Sequence, residues 1–286
     1  MGYGVYEITN YITAFFKTKT YSAIINNEKN SDIYTVKNGT VISNASIILE
    51  VEDVIKYYGN DEKLIIRLTD SDGNPLTNKT ITITINGKTY TRTTDANGTA
   101  SMNINLNAGI YDAIVSYENF TTSVKIDVFS TIEGNNLVKY FRNGTQYYAT
   151  FYDSEGNPLS NTNVTFNING VFYTRTTNKN GIAQLNINLK PGRYIITAIN
   201  PITKQEFSNN ITVLSTISGD NIVKYYRNGT QYYATFYDSE GNPLSNTNVT
   251  FNINGVFYTR TTDDDGIAML SINLNPGEYV ITSIYP

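Results

Sequence analysis

The chain has 286 residues, a net charge of −4, and no Cys, His or Trp. Without cysteine, disulfides and thiolate metal sites are excluded, and without histidine the commonest general base and transition-metal ligand are lost. The acidic balance excludes the basic footprint that nucleic acid demands, and no apolar run approaches the roughly 20 residues of a membrane-spanning helix.

Residues 1–45 match the end of a repeating unit and not its start. Gly4-Val5-Tyr6 aligns with Gly109-Ile110-Tyr111, Gly192-Arg193-Tyr194 and Gly277-Glu278-Tyr279, and Lys19 to Ile25 reads as a short strand. The expectation is the tail of a preceding module, or an N-terminal cap. The apolar Tyr11–Phe16 is too short for a signal peptide, so signal and anchor are expected outside this chain.

Three copies of one module follow, over 46–130, 131–215 and 216–286. The string from Arg142 to Thr177 returns letter for letter from Arg227 to Thr262, and a looser copy runs from Gly59 to Thr94. Asp70, Asp153 and Asp238 mark equivalent points, a period of roughly 84 residues, the size of a small self-contained β-domain.

The second module shows the pattern best. Leu137–Phe141 is a short strand. Gln146 to Asp153 alternates, with Tyr147, Ala149 and Phe151 on one face and Tyr148 and Tyr152 on the other. Ser154-Glu155-Gly156-Asn157-Pro158 is a turn, because Gly tolerates positive φ and Pro fixes φ. Val164, Phe166 and Ile168 alternate with Thr165 and Asn167 up to Asn169-Gly170, a dipeptide suited to a type I′ hairpin. Strands are also expected over Val171–Thr177, Ile182–Leu189, Tyr194–Ile199 and Asn210–Leu214. About seven short strands with polar alternate positions predict an all-β fold, tandem Ig-like antiparallel β-sandwich modules. The joints Val128-Phe129-Ser130-Thr131-Ile132 and Val213-Leu214-Ser215-Thr216-Ile217 hold no Pro and no Gly/Ser run, which predicts an extended rod. The third module ends before any counterpart of Asn210–Leu214. The chain is therefore read as a fragment, or as one that self-associates head to tail, the Lys19–Ile25 strand filling the open edge of the third module.

No nucleophile-and-base pair stands out, so no enzyme and no cofactor are expected. The recurring carboxylates Asp153/Glu155 and Asp238/Glu240 sit in turns. The clustered oxygens of Asp263, Asp264 and Asp265 are a candidate Ca²⁺ site, although Lys179 at the matching turn argues against a shared one. Among many Asn-x-Ser/Thr sequons, Asn143 and Asn228 fall in turns and Asn163 and Asn248 have outward parity, which makes these four the glycosylation candidates. Outward Tyr suits either cross-strand pairing or stacking on sugars.

The run Asp-x-x-Gly-Asn-Pro-Leu, then Val/Ile-Thr strands, Tyr-Thr-Arg-Thr-Thr-x-x-x-Gly and Asn-Pro-Gly-x-Tyr resembles bacterial and archaeal Ig-like surface repeats, and above all the adhesin-like surface proteins of methanogenic archaea. That resemblance covers about Ala45 to Pro286. It implies an extracellular, cell-surface, non-enzymatic stalk or adhesin that meets a ligand on another cell, or a host glycan or protein. The module also looks like Cna-B repeats, many of which form a Lys–Asn isopeptide bond; Lys139 and Asn210 are the candidates this likeness implies. The pattern is incomplete, since Lys125 stands where Asn210 would be in the first module, and the strand after Gly192-Arg193-Tyr194 offers no glutamate. Alternative functions are glycan binding by the modules themselves and spacing of a catalytic domain outside this chain.

Overall fold

The structure, a computed structural model, describes the backbone of Lys19–Ser22, Thr35–Lys37 and Thr40–Ile42 and all of residues 47–286. Every regular element among them is a β-strand. The chain forms two compact units, one of Met1–Thr131 with Tyr152–Asn157 and one of Ile132–Phe151 with Pro158–Pro286.

The first unit holds one core between two sheets. The four-stranded sheet has the spatial order Lys19–Ser22, Ile48–Glu52, Lys63–Thr69, Thr99–Asn103. The five-stranded sheet has the order Val54–Tyr57, Phe120–Phe129, Gly109–Tyr117, Thr80–Ile85, Lys88–Thr93. Side chains alternate across a strand, so Leu64, Ile66 and Leu68 point inward from one sheet and Ile81, Ile83, Ile126 and Val128 from the other. The expected match of Gly4-Val5-Tyr6 to later strands lies outside the described residues. Of the expected Lys19–Ile25 strand, the described part is Lys19–Ser22. It pairs antiparallel with Ile48–Glu52, from Lys19↔Glu52 to Ser22↔Leu49. A strand already held in its own unit has to break four register pairs before it can be donated to a neighbour.

The second unit holds two cores. In the first of these, Ile132–Gly134, Gln146–Phe151 and Ile182–Asn186 form one sheet. The other sheet runs Leu137–Tyr140, Glu206–Leu214, Gly192–Ile199, Asn163–Ile168, Val171–Thr176. Tyr147 and Phe151 meet Phe166 edge-on, with ring centroids 5.7 and 5.9 Å apart. Asn169 and Gly170 both have positive φ, 53° and 79°, as a type I′ hairpin requires. Buried Thr177 closes the base of this hairpin: its hydroxyl donates to the Leu159 carbonyl and accepts from the Thr162 amide at 2.9 Å. Thr94 and Thr262 do the same at equivalent points, which explains the last Thr of each Tyr-Thr-Arg-Thr-Thr.

The remaining core repeats this arrangement with fewer strands. Gln231–Phe236 lies between Ile217–Ser218 and Ile267–Ser271, and Asn248–Ile253 lies between Val256–Thr261 and Ile281–Ile284. Tyr232, Phe236 and Phe251 reproduce the edge-on ring cluster. Asn221–Tyr225 aligns with Asn136–Tyr140 yet forms no strand. The reason is pairing. Leu137–Tyr140 draws its ladder from Glu206–Leu214, and the third core has no strand in that position.

Candidate functional site

Each core engages a lysine of the Lys-Tyr pair with backbone carbonyls. Lys56 and Lys139 lie on the inward face of the leading strands Val54–Tyr57 and Leu137–Tyr140, only 5% and 6% exposed. A buried ammonium has to be hydrogen-bonded, and backbone carbonyls supply the partners. Lys139 Nζ donates to the Thr145 carbonyl at 3.1 Å and the Ile187 carbonyl at 3.0 Å. Lys56 Nζ donates to the Ile104 carbonyl at 3.0 Å, to Glu62 at 3.3 Å and to Asn60. Lys224 repeats the pattern with Thr230 at 2.8 Å and Ile272 at 2.7 Å. Burial lowers the pKa of Lys56 and Lys139 below the ordinary lysine value; for Lys56 the nearby Asp61 and Glu62 act the other way.

Asn210, the expected partner of Lys139, is elsewhere. It is exposed on the outward face of Glu206–Leu214, and its amide N–H donates to Asn136 Oδ1 at 2.8 Å. Lys139 faces inward opposite Val213 in the register. The structure does not bring the two side chains together, and the ammonium is engaged by carbonyls.

The recurring carboxylates act in turns. Asp153 Oδ1 accepts the amides of Glu155 at 3.0 Å and Asn157 at 2.8 Å, and Oδ2 accepts Asn157 Nδ2 at 3.0 Å. Asp70 and Asp238 do likewise. Hydrogen bonds from Asn74 and Asn242, side chain before backbone, hold the Asp70 and Asp238 carboxyls below the ordinary carboxylate value. Asp263, Asp264 and Asp265 are not drawn together either. Asp263 Oδ1 caps the amides of Asp265 and Ile267, while Asp264 Oδ1 accepts Ser245 Oγ and Asn246 Nδ2. At the matching turn Asn178 Oδ1 caps Asn180 and Ile182 in the same way, a role that needs an oxygen but no charge. Among the described residues no cluster of three such ligands is placed to hold a metal ion.

The sequons separate by environment. Asn163 and Asn248 are exposed on strands, each accepting a threonine hydroxyl, from Thr176 at 2.8 Å and Thr261 at 2.9 Å. Asn228 is exposed in its turn. Asn143 is half-buried, and its Nδ2 donates to the Ser239 carbonyl at 2.8 Å. This bond belongs to a contact between the two cores of the second unit. Tyr140 and Tyr237 have ring centroids 5.9 Å apart, and the Tyr140 ring lies where a Cβ on Gly241 would be. The first unit contains the same set: Tyr57 against Tyr152 and Gly156, and Asn60 Nδ2 donating to the Ser154 carbonyl at 3.1 Å. Sequence reading gave Tyr152 an outward face and missed this contact; the one sequence signal is the recurrence of Tyr and Asn three residues apart at 57/60, 140/143 and 225/228. Exposed aromatics on the repeated strands include Tyr148 and Tyr233, 52% and 51% exposed, and Phe172 and Phe257, both 66% exposed.

Comparison with known proteins points to Ig-like and adhesin sequences. Residues 63–127 match Macroglobulin domain MG4. Over 94% of its length the chain is 25% identical to the inverse autotransporter adhesin YeeJ of Escherichia coli (strain K12), and it spans 13% of that relative. Among solved structures, the I9–I11 tandem of titin is 12% identical, with 83% of this chain and 95% of that one covered and a TM-score of 0.31. Invasin, a bacterial integrin-binding protein, is 19% identical, with 83% and 56% covered and a TM-score of 0.28. No described helix is long and apolar enough to cross a membrane.

Proposed function

We propose that this chain is a non-catalytic, cell-surface repeat segment whose Ig-like modules serve as the stalk of an adhesin. One observation carries the reading: the repeated sequence is spent on architecture. The identical strings Arg142–Thr177 and Arg227–Thr262 place the same residues in the same ring cluster, the same capped turn and the same hairpin. The acids that a hydrolase would recruit cap turns, and the lysines are bound by carbonyls. Similarity to an Escherichia coli adhesin supports the adhesin class, and resemblance to methanogen surface repeats supports an archaeal, extracellular setting. The ligand belongs to another cell or to a host glycan or protein.

Antibodies raised against the chain should label intact cells of the source organism. Deleting these repeats from the full-length surface protein should abolish attachment while the rest of the protein is still exported. Labelling confined to lysed cells would overturn the reading.

A second reading, glycan binding by the modules, draws on the exposed Tyr148 and Tyr233. A glycan array probed with the whole chain separates the two. The stalk reading expects no binding, whereas the glycan reading expects binding that Tyr148→Ala and Tyr233→Ala together remove.

A further inference from the structure

The recurring Tyr-Thr-Arg-Thr lies on the outermost strand of a sheet in all three cores. Lys88–Thr93, Val171–Thr176 and Val256–Thr261 each end the order of their sheet, so among the described residues each is paired on one side. A strand with one side open offers its backbone to a further strand.

The register fixes which groups face the open side. In an antiparallel pair a residue turns its N–H and C=O the same way, and successive residues alternate. The Thr177 amide donates across the hairpin to the Thr162 carbonyl at 2.9 Å. Arg175, Tyr173 and Val171 therefore also address the neighbouring strand Asn163–Ile168. Phe172, Thr174 and Thr176 present their N–H and C=O to the open side. The amides of Thr94 and Thr262 donate to Lys79 and Thr247 in the same way, which makes Thr91 and Thr259 the central residues of the other two edges.

This edge is self-complementary. A second copy laid antiparallel, with Thr174 opposite Thr174, puts Phe172 opposite Thr176. Three residues on each side then exchange N–H···O=C bonds, and matching side-chain faces stay together. The strand holds no Pro and no Gly, and its register with Asn163–Ile168 is continuous.

The arginine stands at the centre of that ladder. Arg175 donates from its guanidinium to the Thr174 carbonyl at 2.7 Å, and Arg92 and Arg260 donate to the Thr91 and Thr259 carbonyls, each at 2.7 Å. That carbonyl is the one a second copy's central amide would need. The Arg175 guanidinium also lies 5.9 Å from the Tyr173 ring centroid, as Arg260 does from Tyr258, which holds it against its own strand. In the paired register the two Arg175 residues would be diagonal neighbours about 7–8 Å apart, a like-charge contact that opposes pairing. The bond to the preceding carbonyl recurs in the first core, where the strand reads Lys-Thr-Tyr-Thr-Arg-Thr, so it does not depend on the identical string.

We infer that Arg92, Arg175 and Arg260 guard these hairpin edges: each occupies the central edge carbonyl and keeps a second copy of this chain from adding its own edge to the sheet. The inference goes beyond the stalk reading and stands on the fold alone. An edge repeated in every core offers several pairing sites per molecule, and several weak sites reinforce one another. The guard therefore matters most where copies are crowded together.

Sedimentation equilibrium of the whole chain tests this. At equal concentration the variant Arg92→Thr, Arg175→Thr, Arg260→Thr should have an apparent mass at least twice that of the unaltered chain. Adding Thr91→Pro, Thr174→Pro and Thr259→Pro removes the outward central N–H of each edge, a change an edge strand tolerates, and should return the mass to the unaltered value. Association of an unfolded variant would survive those prolines. A single-core measurement guards against misfolding of the triple variant. The chain has no Cys, so Thr174→Cys introduces one thiol at the proposed two-fold axis. Under oxidation, cross-linked dimer should form several-fold faster when Arg175→Thr is added. Equal masses with and without the arginines, association that persists with the prolines, or equal cross-linking rates would each overturn the inference.

Discussion

Gly73, Gly156 and Gly241 hold the same place in three copies of the Asp-x-x-Gly-Asn-Pro turn, with φ of 84°, 85° and 90°. Each needs glycine for its backbone, but only two need it for space. A Cβ at Gly73 meets nothing within 4 Å, whereas one at Gly241 collides with the Tyr140 ring. Gly73→Ala should therefore cost only the positive-φ penalty, about 1 kcal/mol. Gly241→Ala should cost about 1–3 kcal/mol more, because the ring has to move; urea denaturation of the two variants measures the difference. Charge at the turn is tested by pH. The Asp238 carboxyl is held below its ordinary value of 3.8, so its contribution is present above that value and is lost as pH falls through the lowered one. Asp238→Asn keeps the capping oxygen and should flatten the loss of stability below pH 3.8. The opposite limb belongs to Tyr147, which burial pushes from 10.0 to about 12 while its hydroxyl donates to Asn209 Oδ1 at 2.6 Å. With the folded pKa raised, stability is complete below 10.0 and declines as pH rises toward about 12. Tyr147→Phe should be about 1 kcal/mol less stable at neutral pH but should lack that part of the alkaline decline.

At the scale of strands and turns, alternation was the readable signal. Val164, Phe166 and Ile168 point inward and Asn163 outward, as period two requires. Asn169-Gly170 was legible as well, because its turn is a local backbone matter. Three features were hidden. Ile132–Gly134 is too short to show a period, and it is fixed by pairing with Phe151, Thr150 and Ala149. The closing strand starts at Glu206, earlier than Asn210, and its polar run Ser208-Asn209-Asn210 masks it until the register with Gly192–Ile199 is seen. Lys139 reads as a possible cross-link donor through the likeness to Cna-B repeats, because its actual partners, the Thr145 and Ile187 carbonyls, are backbone groups with no side-chain signature. The contact at Asn143 was likewise invisible in one dimension, and it makes a prediction about modification. The nitrogen that would carry a glycan is donated to Ser239. In a glycosylating cell Asn163, Asn228 and Asn248 should therefore be occupied while Asn143 stays bare. Trypsin cannot test this, because cleavage after Arg142 and Arg227 yields identical peptides through Arg175 and Arg260. Cleavage at lysine alone keeps Tyr140-Phe141 with Asn143 and Tyr225-Tyr226 with Asn228, and mass spectrometry of those peptides from native protein gives the answer.

Across the whole molecule, one sequence folds in two contexts, and context sets its stability. Among the described residues the first two cores bury eighteen and fourteen apolar side chains and the third buries eight. Ile196 is fully buried on a strand flanked by Glu206–Leu214 in the same sheet, while its counterpart Ile281 is half-buried at a sheet edge. Stability scales with apolar area removed from water, so cores of different size differ within a margin of only about 5–15 kcal/mol. Unfolding of this 286-residue segment should therefore not be a single transition. The third core should melt first in urea, and with the smaller slope that a smaller buried surface implies. Hydrogen exchange locates the event. Amides over Ile281–Ile284 should exchange orders of magnitude faster than those over Gly192–Ile199, which lie in the middle of a five-stranded sheet. Identical protection at the two places would mean that the repeated string sets its own stability, independent of the strand that closes the sheet.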